Sequence, residues 1–140
     1  MARDIIHGSV KQALINDGWT ITADPYYIDL INDKNKTLAA DLAAEKKFEA
    51  QRGIEKIIVE IKSFLGTSVL NNFHSALGQY LDYRDSLEEN GEEKILYIAV
   101  SENIYNKILD LNFLKGRIEK YQLKFIVVNI KTETILKWIN

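Results

Sequence analysis

Between residues 55 and 64 the chain is patterned as a strand with an unusual end. The apolar run Ile57-Ile58-Val59 leads directly into Glu60-Ile61-Lys62. Successive side chains on a strand point to opposite faces, so Ile57, Val59 and Ile61 share one face and Ile58, Glu60 and Lys62 the other. A carboxylate and an ammonium therefore lie side by side on an element otherwise patterned for burial.

The same reading extends along the chain. Ile6, Val10, Ala13 and Leu14 follow helical spacing and predict a helix over residues 4–17, which Gly18 is placed to stop. Residues 19–22 and 26–31 read as strands separated by Asp24-Pro25, and residues 37–43 as a second main strand. Residues 46–52 are polar and read as a short helix or a loop closed by Gly53. Thr67 or Ser68 is placed to cap a long helix to about Leu87, with an inner stripe of Leu70, Phe73, Leu77, Tyr80 and Leu81. Residues 88–91 then form a loop. Residues 94–100 are a near-continuous apolar strand of the kind buried on both faces. Ser101 caps a helical region through Lys120, interrupted around Asn112 and Gly116. Residues 125–130 and 134–139 are two strands joined by a turn at 131–133. The order of main elements, α-β-β-β-α-β-α-β-β, predicts an α/β or α+β sandwich with a mixed sheet flanked by helices. With 140 residues and neither repeats nor linkers, residues 1–140 are expected to form a single domain.

Composition narrows the function classes. Hydrophobic residues are 46% and charged residues 27%, an ordinary globular balance. No apolar stretch is long enough to span a bilayer and the start lacks a signal-peptide core, so a cytoplasmic protein without membrane contact is expected. The absence of cysteine removes disulfides, thiol catalysis and cysteine-ligated zinc. His7 and His74 are too far apart in sequence to suggest a zinc site. Lys and Arg number 18 against 20 acids, for a formal charge of −2. Nucleic-acid affinity comes mainly from phosphate neutralisation, so this balance predicts weak autonomous DNA binding or a partner that supplies it.

On their own, Glu60 and Lys62 read first as a salt-bridged pair on a solvated strand face, contributing about 0–1 kcal/mol. Asp41 upstream changes the picture. If its strand neighbours the second, two acids and a lysine converge, the donor set of a metal-dependent phosphodiesterase. The element order and the Asp41, Glu60-Ile61-Lys62 set resemble the PD-(D/E)XK nuclease superfamily, with Ala40 where that motif carries proline. Gln79 and Tyr83, one helical turn apart, resemble the Q-x-x-x-Y pattern of RecB-like members. A closer resemblance, to the XisH family, rests on several segments. These are Ala2-Arg3-Asp4-Ile5-Ile6-His7, Leu14-Ile15-Asn16-Asp17-Gly18-Trp19-Thr20-Ile21-Thr22, Val59-Glu60-Ile61-Lys62-Ser63-Phe64 and Ala76-Leu77-Gly78-Gln79-Tyr80.

The resemblance implies a restriction-endonuclease-like fold. It also implies a role in excision of a DNA element, with a small partner protein of the XisI type. Catalytic roles fall to Asp41, Glu60, Lys62, Gln79 and Tyr83. Mg²⁺ or Mn²⁺ would be held by Asp41, Glu60 and the carbonyl of Ile61. The reaction implied is Mg-dependent cutting of DNA phosphodiesters, and a homodimer would supply two sites for two strands. The alternative is a non-catalytic accessory protein that acts through its small partner.

Other residues read more plainly. Glu45 is a solvated loop acid, or a further carboxylate if the strand ends at Ala43. His7 and Lys11 share a helix face that could meet the site, but a lone histidine on a helix reads first as a surface or packing residue. His74 reads the same way. Trp19 and Trp138 read as packing residues, and Tyr26-Tyr27 as a contact surface.

Overall fold

The computed structural model describes residues 2–33, 35–48, 53–66 and 68–140, without the side chains of residues 2–4 and 48. Along the chain run α1 (Ala2–Asn16), β1 (Thr20–Ala23), β2 (Tyr26–Asp29), β3 (Thr37–Ala40), β4 (Leu42–Phe48) and β5 (Gly53–Ile61). There follow α2 (Val69–Glu89), β6 (Ile95–Ser101), α3 (Glu102–Leu109), α4 (Asn112–Lys120), β7 (Phe125–Asn129) and β8 (Thr134–Ile139). Six strands form one mixed sheet in the order β1-β4-β5-β6-β7-β8, and β2 and β3 form a separate hairpin. β5, β6 and β7 are parallel, and antiparallel neighbours complete each side.

The alternation anticipated for β5 sorts its side chains between two cores. Ile57 and Val59 join Leu42, Tyr97, Ala99 and Ile126 beneath α1, which contributes Ile6, Val10, Ala13 and Leu14. Ile58 joins Ile98, Val100 and Val127 beneath α2, α3 and α4. Mixed α and β elements with helices on both faces match the expected fold class. Both parallel crossovers, β5-α2-β6 and β6-α3-α4-β7, run over one face of the sheet. The C-terminal ends of the parallel strands are thus left open at one edge, where open α/β sheets place their ligands.

Helix ends follow local chemistry. α1 and α2 both stop on a glycine with positive φ, Gly18 at 95° and Gly91 at 68°. In each case the next amide reaches back to close the last turn, Trp19 N–H to the Leu14 carbonyl and Glu92 N–H to that of Leu87. Ser68 caps α2 by accepting from the Asn71 amide at 3.1 Å. The alternative cap, Thr67, lies outside the described residues.

Several expectations are corrected. Residues 37–43 are not one strand, because the chain breaks at Asp41 between β3 and β4. Splitting that segment makes five strands before the long helix from the four segments read as strands, where the expected order of main elements carried three. Of the polar segment 46–52, residues 46–48 continue β4, and residues 49–52 lie outside the described residues. Lys46 and Lys47 pair with Glu55 and Ile54, so cross-strand pairing overrides their polarity. The inner stripe of α2 is rotated from the expected one. It comprises Phe73, Ala76, Tyr80, Tyr83 and Leu87, while Leu70, Leu77 and Leu81 are only half-buried. That turn brings a tyrosine hydroxyl, not a leucine, to the inner face. α2 also runs on through Glu89, and Gly116 sits within α4 while the interruption falls at 110–111. Among the described residues no helix is long and apolar enough to cross a membrane.

Candidate functional site

The break at Asp41 builds the site. β4 and β5 pair from Leu42 opposite Val59, and one step further on that register sets Asp41 opposite Glu60. Here side chains replace the backbone ladder. The Asp41 amide donates to Glu60 Oε1 at 3.2 Å, and the Ile61 amide donates to Asp41 Oδ2 at 2.7 Å. The two acids are therefore interlocked, and they hold the point where the chain leaves the β2–β3 hairpin for the main sheet. Lys62, just past β5, donates its amide to the Ala99 carbonyl and sets Nζ 3.6 Å from Glu60 Oε2.

The electrostatics are strained in one direction. Glu60 is only 7% exposed. Burial, reinforced by the neighbouring Asp41 carboxylate, pushes its carboxyl up to about 8, and Lys62 only partly opposes this. Near neutral pH the Glu60–Lys62 contact is then largely an ammonium against a neutral acid, not a full ion pair. Two carboxylates share a site with less positive charge than they need.

α2 supplies the far wall. Gln79 Nε2 donates to Tyr83 Oη at 3.0 Å, and that hydroxyl donates to the Ala39 carbonyl at 3.1 Å. Burial first, then the nearby Glu60, raises the Tyr83 hydroxyl above its usual range. Gln79 Oε1 is buried without a hydrogen-bond partner, a costly state for an amide oxygen. The predicted set of Asp41, Glu60, Ile61, Lys62, Gln79 and Tyr83 thus comes together around the end of β5.

Next to it opens a cleft of about 330 Å³, lined by Asp41, Ile61 and Lys62, by Ile6 and His7 of α1, by Asn72 and Ser75 of α2, and by the 63–65 loop. Within that loop Phe64 holds a φ of 50°, a left-handed conformation that a bulky side chain adopts only under constraint, costing of order 1–3 kcal/mol.

The donors fit a divalent cation in kind. Asp41 and Glu60 offer hard oxygens, the Ile61 carbonyl lies at the same place in the chain, and Gln79 Oε1 is an acceptor in need of a donor. Among the described residues no group of three or more His, Asp or Glu side chains gathers around one point. A cation held by two carboxyl groups would have to keep several waters.

The remaining candidates separate from the site. Glu45 lies within β4 opposite Lys56, beside a different cleft. Lys11 reaches Asp24 rather than the carboxylates, and His74 is exposed. Trp19 and Trp138 pack as expected, with ring centroids 5.6 Å apart and Tyr97 5.1 Å from Trp138. Tyr26 is a partner of Glu92 and Lys94, and Tyr27 is exposed. Sequence reasoning missed Asp24, Asn72 and Ser75. The His7-to-Asp24 hydrogen bond joins residues 17 apart, a contact that no local spacing announces.

Among known proteins, the family model described as "XisH protein" matches residues 1–136. Two solved structures are similar over nearly the whole length. A FdxN element excision controlling factor protein from Anabaena variabilis is 40% identical with a TM-score of 0.85, over 99% of this chain and 100% of that one. An XisH family protein from Nostoc punctiforme PCC 73102 is 40% identical with a TM-score of 0.84, over 98% and 100%. No curated protein matches the chain.

Proposed function

The chain belongs to the XisH family, and from that premise we propose that it is an excision controlling factor whose cleft is a PD-(D/E)XK-type endonuclease site. The excision role rests on the name of the Anabaena relative. The nuclease chemistry rests on one observation, the interlocked Asp41 and Glu60 at the end of β5 with Lys62 beside them.

Asp41, Glu60 and the Ile61 carbonyl would hold Mg²⁺ or Mn²⁺. Bound there, the cation supplies Lewis acidity toward a phosphodiester and activates water at neutral pH. Lys62, on the rim of the cleft, stabilises the negative charge that develops on the phosphoryl oxygens. Tyr83, fixed by Ala39, holds the amide of Gln79, whose unpaired Oε1 is left to accept from a water or from the Lys62 ammonium. Burial of Glu60 keeps bulk water from screening these charges. Cutting both strands of a duplex with one site per chain calls for two copies.

A plasmid-nicking assay in Mn²⁺ tests this reading. Wild type should nick, and Glu60→Ala and Lys62→Ala should each lose on the order of a hundredfold or more in rate. A wild type that leaves the plasmid intact, or variants that keep its rate, would contradict it.

The formal charge of −2 favours a second reading, in which the chain is a non-catalytic accessory that binds DNA only through a small XisI-type partner. In that case nicking is absent with and without metal, and DNA retention appears only when the partner is added.

A further inference from the structure

The α1 wall of the cleft carries one polar side chain that the proposed chemistry does not use. His7 lines the cleft together with Asp41 and Lys62. Its Nε2 is 2.9 Å from Asp24 Oδ1, and Lys11, one turn along α1, donates to Asp24 Oδ2 at 2.8 Å. Lys11 first, then His7, holds the Asp24 carboxyl below its usual range against the opposing effect of burial. An ionised Asp24 can only accept, so Nε2 carries hydrogen and the tautomer is fixed. Nδ1 has no partner among the described residues. One ring nitrogen is clamped by Asp24, and the ring lines the cleft.

The dimensions and charge of the cleft limit what it admits. About 330 Å³ is the lower end of small-ligand pockets. Among the described residues its basic liners are Lys62 and His7, flanked by apolar Ile6, Phe64, Leu65 and Ala76. A duplex is held by cations spread along many phosphates, and among the described residues this wall shows no such stripe. A single strand can be held by a short basic groove beside an exposed apolar side chain against which a base rests, and Leu65 is 58% exposed at this rim.

We propose that His7, oriented by Asp24, is a phosphodiester contact for an unpaired nucleic-acid strand in this cleft. The proposal deepens the endonuclease reading and rests on it for the path of the strand. His7 presents Nδ1–H to a phosphoryl oxygen while Nε2–H stays on Asp24. His7 touches the strand, and Asp24 is a positioning residue that acts through it.

The test is fluorescence anisotropy of labelled oligothymidylate against the full chain in metal-free buffer over a series of salt concentrations. His7→Ala should weaken binding about tenfold, as expected for loss of one charge-assisted hydrogen bond. It should also lower the slope of log affinity against log salt by about 0.7, the loss of one phosphate contact on a single strand. His7→Arg should keep the slope. Asp24→Asn should weaken binding with a smaller change in slope, and it carries the same expectation if His7→Ala fails to fold. Equal affinity and slope in wild type and His7→Ala, or no binding by wild type, overturns the proposal. The two readings fail separately, because the binding assay needs no metal and no turnover. Loss of nicking with His7-dependent binding intact removes only the endonuclease reading. Nicking with His7-independent binding removes only this one.

Discussion

Two half-buried polar clusters stand at opposite ends of the β5–β6 pair, and they are finished to different degrees. At the start of β6, Tyr26, Glu92 and Lys94 satisfy one another. The Tyr26 hydroxyl donates to Glu92, and Lys94 donates to Tyr26 Oη at 2.6 Å and to Glu92 Oε1 at 3.0 Å. Burial works against the charged forms, but these bonds outweigh it, leaving the Glu92 carboxyl below its usual range and the Lys94 ammonium above its own. At the end of β5 the balance reverses. Glu60 is pushed to about 8, two acids face one lysine, and Gln79 Oε1 has no partner. Polar groups that complete one another fasten the hairpin to the body of the fold. Polar groups left incomplete beside a cleft carry a cost that a purely structural cluster avoids.

The comparison breaks most decisively if the incomplete cluster turns out to be inert. Asp41→Asn should abolish nicking by on the order of a hundredfold or more while the chain stays folded, as read by plasmid assay beside circular dichroism. Tyr26→Phe should leave nicking unchanged.

Stability against pH separates the clusters next. The folded value for Glu60, about 8, exceeds the unfolded 4.5, so the folded state holds the extra proton between them. Its contribution is fully present below about 4.5 and is lost as pH rises through 8. Glu60→Gln should therefore be more stable than wild type above pH 8, by on the order of a few kcal/mol, and the advantage should shrink toward acid pH in urea titrations. Glu92 has the opposite sign, since its carboxyl is depressed and its contribution is lost as pH falls. A wild-type curve flat from pH 5 to 9 would contradict the assignment of strain to Glu60.

Smaller effects sharpen the contrast. Tyr26→Phe should cost about 1–3 kcal/mol by leaving Glu92 and Lys94 short of a partner, measured as a lowered urea midpoint. Gln79→Leu should do the reverse, leaving stability unchanged or raising it by up to about 1 kcal/mol while nicking falls.

The incomplete cluster was the more legible of the two in the sequence. Glu60 and Lys62 stood out because charge interrupted an apolar run, and Gln79 and Tyr83 because helical spacing put them on one face. Asp41 is visible as a candidate, but the pattern runs a strand straight through it. A backbone amide given to a side chain, with the strand broken in consequence, leaves no periodic trace. The shift of the α2 stripe from Leu77 and Leu81 to Ala76 and Tyr83 has a similar origin, since Tyr83 is turned inward by the Ala39 carbonyl, 44 residues away in the chain. The Tyr26–Glu92–Lys94 cluster joins residues 66 and 68 apart and was not anticipated at all. Tyr26 alone read as surface. Spacing reports what an element does with its own neighbours, and it is silent on polar contacts between distant segments.

The central claim is that Asp41 and Glu60 form a cation site kept short of positive charge. Calorimetric titration of Mn²⁺ at pH 7 in buffers of differing ionisation heat tests it most directly. Because Glu60 is largely protonated there, binding to wild type should release close to one proton, and the release should fade as pH rises past 8. Glu60→Gln should bind far more weakly and release none. Binding without proton release, equal binding by Glu60→Gln, or no heat from wild type would contradict the account.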